Sequence, residues 1–190
     1  MMQVDKSFEV PLAPEVVWPL LLDIRLVSDC MPGAELTRMI DRGRYEGRIT
    51  MTLGLVTLRF DGEVAIADVH ADERMVWIRT HGTASGNAGG VVIVTRLHLQ
   101  PSDRGTRIGM QVSVKLTGGL SAYDGAGLVQ VANDHVASQF AENLRARLVW
   151  QAKGGTAHSP PPPVAAKPMS TTSLVGHMLR RAIGRPFGRS

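Results

Sequence analysis

Five side chains are the first candidates for acid–base chemistry in this chain: Tyr45, His81, His98, Tyr123 and His135. Catalysis by proton transfer needs an acid and a base that converge on one substrate. No pair of carboxylates falls on a predicted inner face of the strands. Alternation places His98 on the strand face opposite the apolar one, and His135 borders the apolar stripe of a predicted helix. The pattern therefore favours a binding cavity over a catalytic site.

The sequence gives even weaker support to a metal site, a reactive thiol or a phosphate-binding loop than to an acid–base site. The six histidines and Cys30 are scattered, and none stands three or four residues from another suitable ligand on one predicted helix. No base adjoins Cys30 in the sequence, so a buried structural role is favoured. The glycine-rich segment 85–90 precedes a β-branched run and lacks the helix N-terminus that binds phosphate. We predict a flexible hairpin there, no metal and no covalent cofactor.

Hydrophobic periodicity predicts one strand, two small helices and then a sheet. Residues 3–10 alternate as a strand; one short helix opens at Pro14 and another covers 24–28. From 34 to 116 the period is two, and the short breaks leave no room for crossover helices, so the strands are antiparallel. The predicted strands are 35–40, 44–53, 56–69, 74–80, 91–100 and 106–116.

A long helix closes the folded part, starting near Ser121 and ending at about Trp150. Its apolar stripe, spaced i, i+4, is formed by Leu128, Ala132, Val136, Phe140, Leu144 and Leu148. The charged residues predicted to face water are Asp134, Glu142, Arg145 and Arg147. This order predicts an α+β fold in which a curved antiparallel sheet of about seven strands surrounds one long helix. Because one helix cannot fill the concave face, an apolar cavity is expected between them.

The positions expected to line this cavity are apolar. They are Met51, Leu53, Leu58, Phe60, Ile78, Ile93, Met110, Val112, Val136 and Phe140. Methionine is polarizable and adaptable, so it suits a long irregular ligand as well as a packed interior. Both interpretations, ligand-binding cavity and ordinary core, remain open at this point.

Short motifs follow one another in a characteristic order and spacing over about residues 3–150. They are Phe8-x-x-Pro11, Val17-Trp18, Leu22-Asp23, Cys30-x-Pro32-Gly33, Leu53-Gly54-x-Val56, Phe60-x-Gly62, and Gly118-x-Leu120 leading to Gly125. Together they resemble the CoxG family of carbon monoxide dehydrogenase subunits, within the START-like (helix-grip, SRPBCC) superfamily. The resemblance implies a helix-grip fold and a non-catalytic accessory role for a molybdenum hydroxylase. It also implies recruitment of that enzyme to the inner face of the cytoplasmic membrane. Similar subunits are encoded beside molybdenum hydroxylases that oxidise other substrates.

The basic charge of the chain is concentrated at its end. The net charge is +4 at pH 7, and the last 24 residues carry five basic side chains and no acidic one. In segment 173–190, five apolar residues recur at helical spacing: Leu174, Val175, Met178, Leu179 and Ile183. Arg180, Arg181 and Arg185 stand in the same segment. A cationic amphipathic helix binds an anionic membrane surface or a partner groove. Pro- and Gly-rich residues 153–172 predict a flexible linker after a folded domain at 1–152.

The composition of the chain limits which partners and which cellular compartment are expected. The body before the tail is nearly neutral and the chain has few aromatic residues, which argues against nucleic-acid binding. A single cysteine fits a reducing compartment. No apolar run approaches the roughly 18–20 residues of a membrane-spanning helix. We expect a cytoplasmic protein that associates peripherally with the inner face of the cytoplasmic membrane.

These observations predict a non-catalytic accessory protein. It would recruit a molybdenum hydroxylase of the carbon monoxide dehydrogenase type and bind a respiratory quinone or similar isoprenoid lipid, supporting electron transfer. One alternative is a recruitment adaptor whose cavity is only core. Another is a START-like cyclase or hydrolase acting on an aromatic or polyketide substrate, with His135 and Tyr123 as its polar groups. A third interpretation, of the tail alone, is a disordered basic segment that only solubilises the chain.

The tail yields a first prediction. Replacing Arg180 and Arg181 by Glu should abolish binding to anionic liposomes, because two attractive charges become repulsive at the membrane surface. Cosedimentation with vesicles measures the binding, and circular dichroism checks that the fold is intact. Unchanged binding by the folded double variant would contradict the electrostatic part of the prediction.

Overall fold

Seven antiparallel strands form one sheet, described here from a computed structural model. The structure describes residues 2–154 except 54–55, 88 and 124–126. Backbone alone is described for residues 52, 53, 56, 87, 123 and 127–133. The strands are β1 Met2–Val10, β2 Ala34–Asp41, β3 Arg44–Leu53, β4 Val56–His70, β5 Met75–Ala84, β6 Gly90–Ser102 and β7 Gly105–Thr117.

The strand order is β1-β7-β6-β5-β4-β3-β2, so strands β2 to β7 form a meander and β1 returns to pair with β7. The pairing is regular from Met2↔Val114 to Val10↔Thr106 and bulged at two points in the edge strand β2. Antiparallel neighbours joined by short turns account for this order. The predicted seven-stranded antiparallel sheet is confirmed.

The strand predicted at 74–80 differs at both ends. Arg74 lies in the preceding turn with a φ of 49°, so the strand starts one residue later, at Met75. It continues to Ala84 because β4 still provides a partner there, with Phe60↔Ala84 as the final pair.

Three α-helices accompany the sheet in the described part of the chain: α1 Pro14–Leu21, α2 Ile24–Asp29 and α3 Gly127–Ala152. Pro14 occupies the first turn of α1, where the missing N–H costs nothing, and α1 ends two residues after Pro19. Asp23 separates the first two helices and caps α2. One of its carboxylate oxygens accepts hydrogen bonds from the backbone N–H of Arg25, at 2.9 Å, and of Leu26, at 3.4 Å.

The start of the long helix differs from the prediction. Residues Gly118–Tyr123 form a 3₁₀ turn, and α3 begins at Gly127. The Ser121 hydroxyl donates a hydrogen bond of 2.7 Å to the carbonyl of Gly118. Ser121 therefore stabilises the turn after β7 instead of capping the long helix.

The C-terminal half of α3 is buried, as its apolar stripe predicts. Phe140, Leu144 and Leu148 are almost fully buried. The prediction that Arg147 faces water is wrong, because this residue is only 3% exposed. Arg147 lies one helical turn from Leu144, on the side where Asp29 of α2 stands 3.9 Å from its guanidinium. The apolar stripe of α3 therefore underestimates how much of the helix surface is buried, because α2 also covers part of that surface.

A row of three glycines crosses the concave face of the sheet. Gly47 pairs with Gly62, and Gly62 pairs with Gly82, on the neighbouring strands β3, β4 and β5. A Cβ on Gly62 would collide with the carbonyl oxygen of His81 and lie 2.6 Å from the Cα of Gly82. The absence of a side chain at Gly62 lets the backbones of β4 and β5 approach closely at this point.

The glycine row also separates two hydrophobic clusters. On β3, β4 and β5 the apolar residues before and after the row pack into different clusters. The first cluster is covered by the helices and includes Val76, Ile78, Leu97, Ile108, Met110, Phe140 and Leu144. The second includes Met2, Phe60, Ala84, Val91, Val114 and Leu120. Val112 packs against both clusters.

The close approach at Gly62 predicts a position-specific cost for added volume. Gly62→Ala should destabilise the fold by about 1–3 kcal/mol, because the added methyl group meets backbone atoms that cannot rotate away. This corresponds to a fall in Tm of roughly 3–10 °C in thermal unfolding followed by circular dichroism.

Gly109→Ala is the matched control, a strand glycine whose Cβ would meet nothing closer than the His98 carbonyl oxygen at 3.7 Å. Its Tm should stay close to that of the wild type. Equal effects of the two substitutions would show that the close approach at Gly62 is not the cause.

Candidate functional site

Two rows of inward-facing side chains cross the middle of the concave face. Strand pairing aligns the first as Tyr45, Val64, Thr80 and Ile93. It aligns the second as Ile66, Ile78, Thr95 and Val112. We call these eight residues the inner trough.

The inner trough retains solvent-accessible surface in the centre of the sheet. Seven of its eight residues are half-buried, and the exception is Ile78 at 6% exposure. Inward-facing residues nearer the helices, such as Val76, Leu97 and Ile108, are fully buried. Inward positions on central strands are normally the best covered of a sheet. The helices therefore cover the concave face incompletely along these two rows.

A pocket of about 480 Å³ lies at one end of the inner trough. It is lined by Leu22, Asp23, Ile24, Arg42, Gly43, Tyr45 and Ile66. We call it the mouth pocket. Tyr45 and Ile66 belong to both the pocket and the trough, so the two adjoin each other at these residues. The Ile66 N–H donates a hydrogen bond of 3.0 Å to the Gly43 carbonyl, which fixes the β2–β3 turn against β4 at this point.

The mouth pocket combines an apolar floor with a polar rim. The Arg25 guanidinium lies over the Tyr45 ring, 5.9 Å from its centroid, in a cation–π contact. Arg42 is exposed at the rim and forms no ion pair with a described carboxylate, whereas the nearby Arg44 pairs with Asp41 at 3.1 Å. The carboxylate of Asp23 caps α2. The rim therefore offers a guanidinium and a phenol as hydrogen-bond donors beside apolar side chains.

A second pocket, of about 450 Å³, lies beyond the glycine row. Its lining residues are His81, Gly82, Thr83, Gly89, Gly90, Val91, Val92 and Thr117. Most of these positions alternate toward the convex face. Within the described residues, no group of three or more His, Cys, Asp or Glu is arranged to hold a metal ion.

The sequence-predicted cavity residues fall on both sides of the glycine row. Ile78, Met110 and Phe140 belong to the first cluster, and Phe60 to the second, with Leu58 and Ile93 packed against it. Val112 contacts both clusters, while Met51 and Val136 are half-buried. The side chain of Leu53 lies outside the described residues. None of these residues lines either of the two pockets, although Ile78, Ile93 and Val112 belong to the inner trough.

Cys30 has the environment of a structural thiol. It is buried, and desolvation raises its pKa to about 12, although the nearby Arg147 acts in the opposite direction. Its carbonyl accepts a hydrogen bond of 3.0 Å from the Asn143 side chain of α3. The residue therefore anchors the end of α2 to the long helix.

The histidines proposed for acid–base chemistry do not meet in the described structure. His81 and His98 stand at outward positions of β5 and β6, and His135 is half-buried on α3. The side chain of Tyr123 lies outside the described residues. Sequence reasoning overlooked Thr80, Thr95, Arg25 and Arg42 as site residues. A hydroxyl at an inward position of an apolar strand was the available signal for the two threonines.

Known proteins share both the sequence pattern and the fold of this chain. The family model for CoxG, a subunit of carbon monoxide dehydrogenase, matches residues 7–149. This chain belongs to the CoxG family. No curated protein sequence matches the chain.

Solved structures of bacterial proteins share the fold of this CoxG-family protein. A conserved protein from Geobacillus kaustophilus is 20% identical, with a TM-score of 0.65 over 78% of this chain and 95% of that one. An aromatase/cyclase from Streptomyces sp. R1128 is 13% identical, with a TM-score of 0.58 over 82% and 99%. A Thermus thermophilus protein is 16% identical, with a TM-score of 0.57 over 80% and 99%. At these identities the likeness concerns the fold alone.

The predicted membrane-binding residues cannot be placed. Leu174, Met178, Leu179, Arg180, Arg181, Ile183 and Arg185 all lie outside the described residues, as does most of the predicted linker. Within the part that is described, no helix is both long enough and apolar enough to cross a membrane.

The raised pKa of Cys30 leads to a prediction about thiol reactivity. The thiolate is the species that reacts with iodoacetamide, and a pKa near 12 leaves about a thousandth of the thiolate that an ordinary thiol has at pH 8. Native protein should therefore react about a thousandfold more slowly than protein unfolded in urea. Because the folded pKa is raised, the protonated thiol favours folding below the unfolded pKa, and this contribution is lost as the pH rises toward 12. Similar alkylation rates in the two states, followed by mass spectrometry, would contradict this environment.

Proposed function

We propose that this CoxG-family protein is a non-catalytic accessory protein with two tasks. It recruits a molybdenum hydroxylase of the carbon monoxide dehydrogenase type to the cytoplasmic membrane. It also binds a lipophilic ligand, such as a respiratory quinone, in the space between the sheet and the long helix, and thereby supports electron transfer.

The accessible surface of the inner trough is the observation that supports ligand binding. Central inward positions such as Thr95 and Val112 would be fully covered in a completely packed core. Their partial exposure leaves room for an apolar chain against Ile66, Ile93 and Val112. Ligand sites of this kind are mostly apolar, with a few polar groups that fix orientation.

The chemistry of the concave face supports binding over catalysis. Inward positions on the described parts of β3 to β7 hold apolar residues, glycines, the phenol of Tyr45 and the hydroxyls of Thr80, Thr95 and Thr106. Neither a carboxylate nor an imidazole occupies these positions. Proton transfer by general acid–base catalysis would need such groups. The aromatase/cyclase from Streptomyces sp. R1128 shares only the fold with this chain.

Membrane recruitment is proposed from the amino-acid sequence of the tail. Leu174, Met178 and Ile183 recur at helical spacing in segment 173–190. Arg180, Arg181 and Arg185 stand in the same segment, and apolar and basic residues combined in this way are typical of helices that bind anionic membranes. Gly176 and Pro186 limit the length and stability of such a helix, so binding should be weak and reversible. The preceding linker lets the folded domain hold its partner enzyme while the tail contacts the bilayer.

Filling the inner trough provides the test of ligand binding. Val112→Phe adds a ring at the half-buried inward position where the two clusters meet, so the space for the ligand should be lost. We expect decylubiquinone to raise the Tm of the wild type in a detergent-free thermal shift assay. The Val112→Phe variant should show little or none of this increase.

Val92→Phe is the matched control, because Val92 is 40% exposed on the convex face. This variant should respond to decylubiquinone as the wild type does. If Val112→Phe, once shown to be folded, kept the full response, the proposed ligand would not lie in the inner trough. If the wild type itself did not respond, the protein would be a recruitment adaptor without a quinone ligand.

A further inference from the structure

The polar groups around the concave face are distributed unevenly. The rim of the mouth pocket has the guanidinium of Arg42, the phenol of Tyr45 and, over that ring, the guanidinium of Arg25. Deeper in the inner trough the polar side chains are the hydroxyls of Thr80 and Thr95, on adjacent strands. A ligand with a polar head and an apolar tail would therefore meet different chemistry at the two ends of the trough.

We propose that the mouth pocket is the entrance for the ligand and holds its oxygen-bearing head, while the apolar tail lies along the inner trough. The inference rests on the proposed lipophilic ligand and adds its orientation and the residues that recognise it. Arg42 and the Tyr45 hydroxyl donate hydrogen bonds to carbonyl oxygens of the head. The ligand class is an isoprenoid or alkyl chain that carries a neutral ring with carbonyl oxygens.

The cost of desolvation favours this orientation. A carbonyl group taken from water into an apolar space without a hydrogen bond loses several kcal/mol. At the rim the head keeps contact with water and meets charged donors, and hydrogen bonds from charged groups are the stronger kind. The tail gains most where the lining is apolar, beside Ile66, Ile93 and Val112.

The contacts of the rim hold the ring of Tyr45 in place. The cation–π contact with Arg25 supports the Tyr45 ring from one side, and the ring packs against the first cluster. The Asp23 carboxylate, which also lines the pocket, accepts hydrogen bonds from α2 backbone N–H groups. Arg42 forms no ion pair with a described carboxylate. The pocket volume of about 480 Å³ lies in the usual range for small-molecule sites.

A pair of matched probes tests head recognition directly. Decylubiquinone and decylbenzene both have a six-membered ring and a decyl chain, but only the first has carbonyl oxygens. Isothermal titration calorimetry gives the Kd of each for the full chain, and their ratio is the preference for the quinone head. We expect the wild type to prefer decylubiquinone. In an Arg42→Gln/Tyr45→Phe variant the preference should fall about tenfold, as for two hydrogen bonds of ordinary net strength.

Two further variants serve as controls. Arg59→Gln removes an exposed arginine at an outward position of β4, and its preference should match that of the wild type. Thr80→Val/Thr95→Val removes the two inner hydroxyls with little change in volume, and it tests the opposite orientation, in which the head lies inside the trough. Thermal unfolding confirms that each variant is folded, and Tyr45→Phe keeps the ring on which Arg25 lies.

Each other outcome would contradict the inference in a distinct way. An unchanged preference in Arg42→Gln/Tyr45→Phe would show that the rim does not recognise the head. A preference lost in Thr80→Val/Thr95→Val would place the head inside the trough. Equal affinity of the wild type for the two probes would exclude head recognition altogether. Binding of neither probe by the wild type would contradict the proposed function itself, and the inference would fall with it.

Discussion

Close packing of neighbouring strand backbones in this sheet depends on three glycines that stand in register on neighbouring strands. Gly47, Gly62 and Gly82 pair with one another across β3, β4 and β5, and a side chain at Gly62 would collide with the backbone of β5. Glycine accepts such an approach because it has no Cβ. The concave face is therefore two apolar clusters that meet along this row, with Val112 in contact with both.

Coverage of the concave face differs between the part that the helices cover and its centre. The small helices α1 and α2 and the C-terminal half of α3 cover the first cluster, where Val76, Leu97 and Ile108 are fully buried. Next to the glycine row, Thr80, Thr95 and Val112 remain half-buried. The space against these residues is therefore accessible to solvent. In the proposed function this space holds the tail of a lipophilic ligand, and the pocket at the α1–α2 junction holds its head.

The amino-acid sequence was sufficient to predict the element order, the antiparallel sheet and the family. Period-two alternation between short turns identified the strands because each strand has one apolar face, and the bounds of β3 were predicted to the residue. Hydrophobic periodicity could not predict the contacts between elements that are distant in the sequence. The i, i+4 stripe could not reveal that α2 covers Arg147, and the local pattern at Ser121 could not exclude a 3₁₀ turn. The mouth pocket was missed because it joins residues distant in sequence, Leu22 and Ile66 among them.

The proposed function requires that the concave face holds a lipophilic molecule in the cell. Native mass spectrometry of the protein purified without detergent or delipidation, followed by organic extraction, tests it most directly. We expect a bound species whose mass matches a quinone or similar isoprenoid lipid and which is released when the protein unfolds. A stable, folded protein that repeatedly carries no such molecule would contradict the claim and leave recruitment as the remaining role.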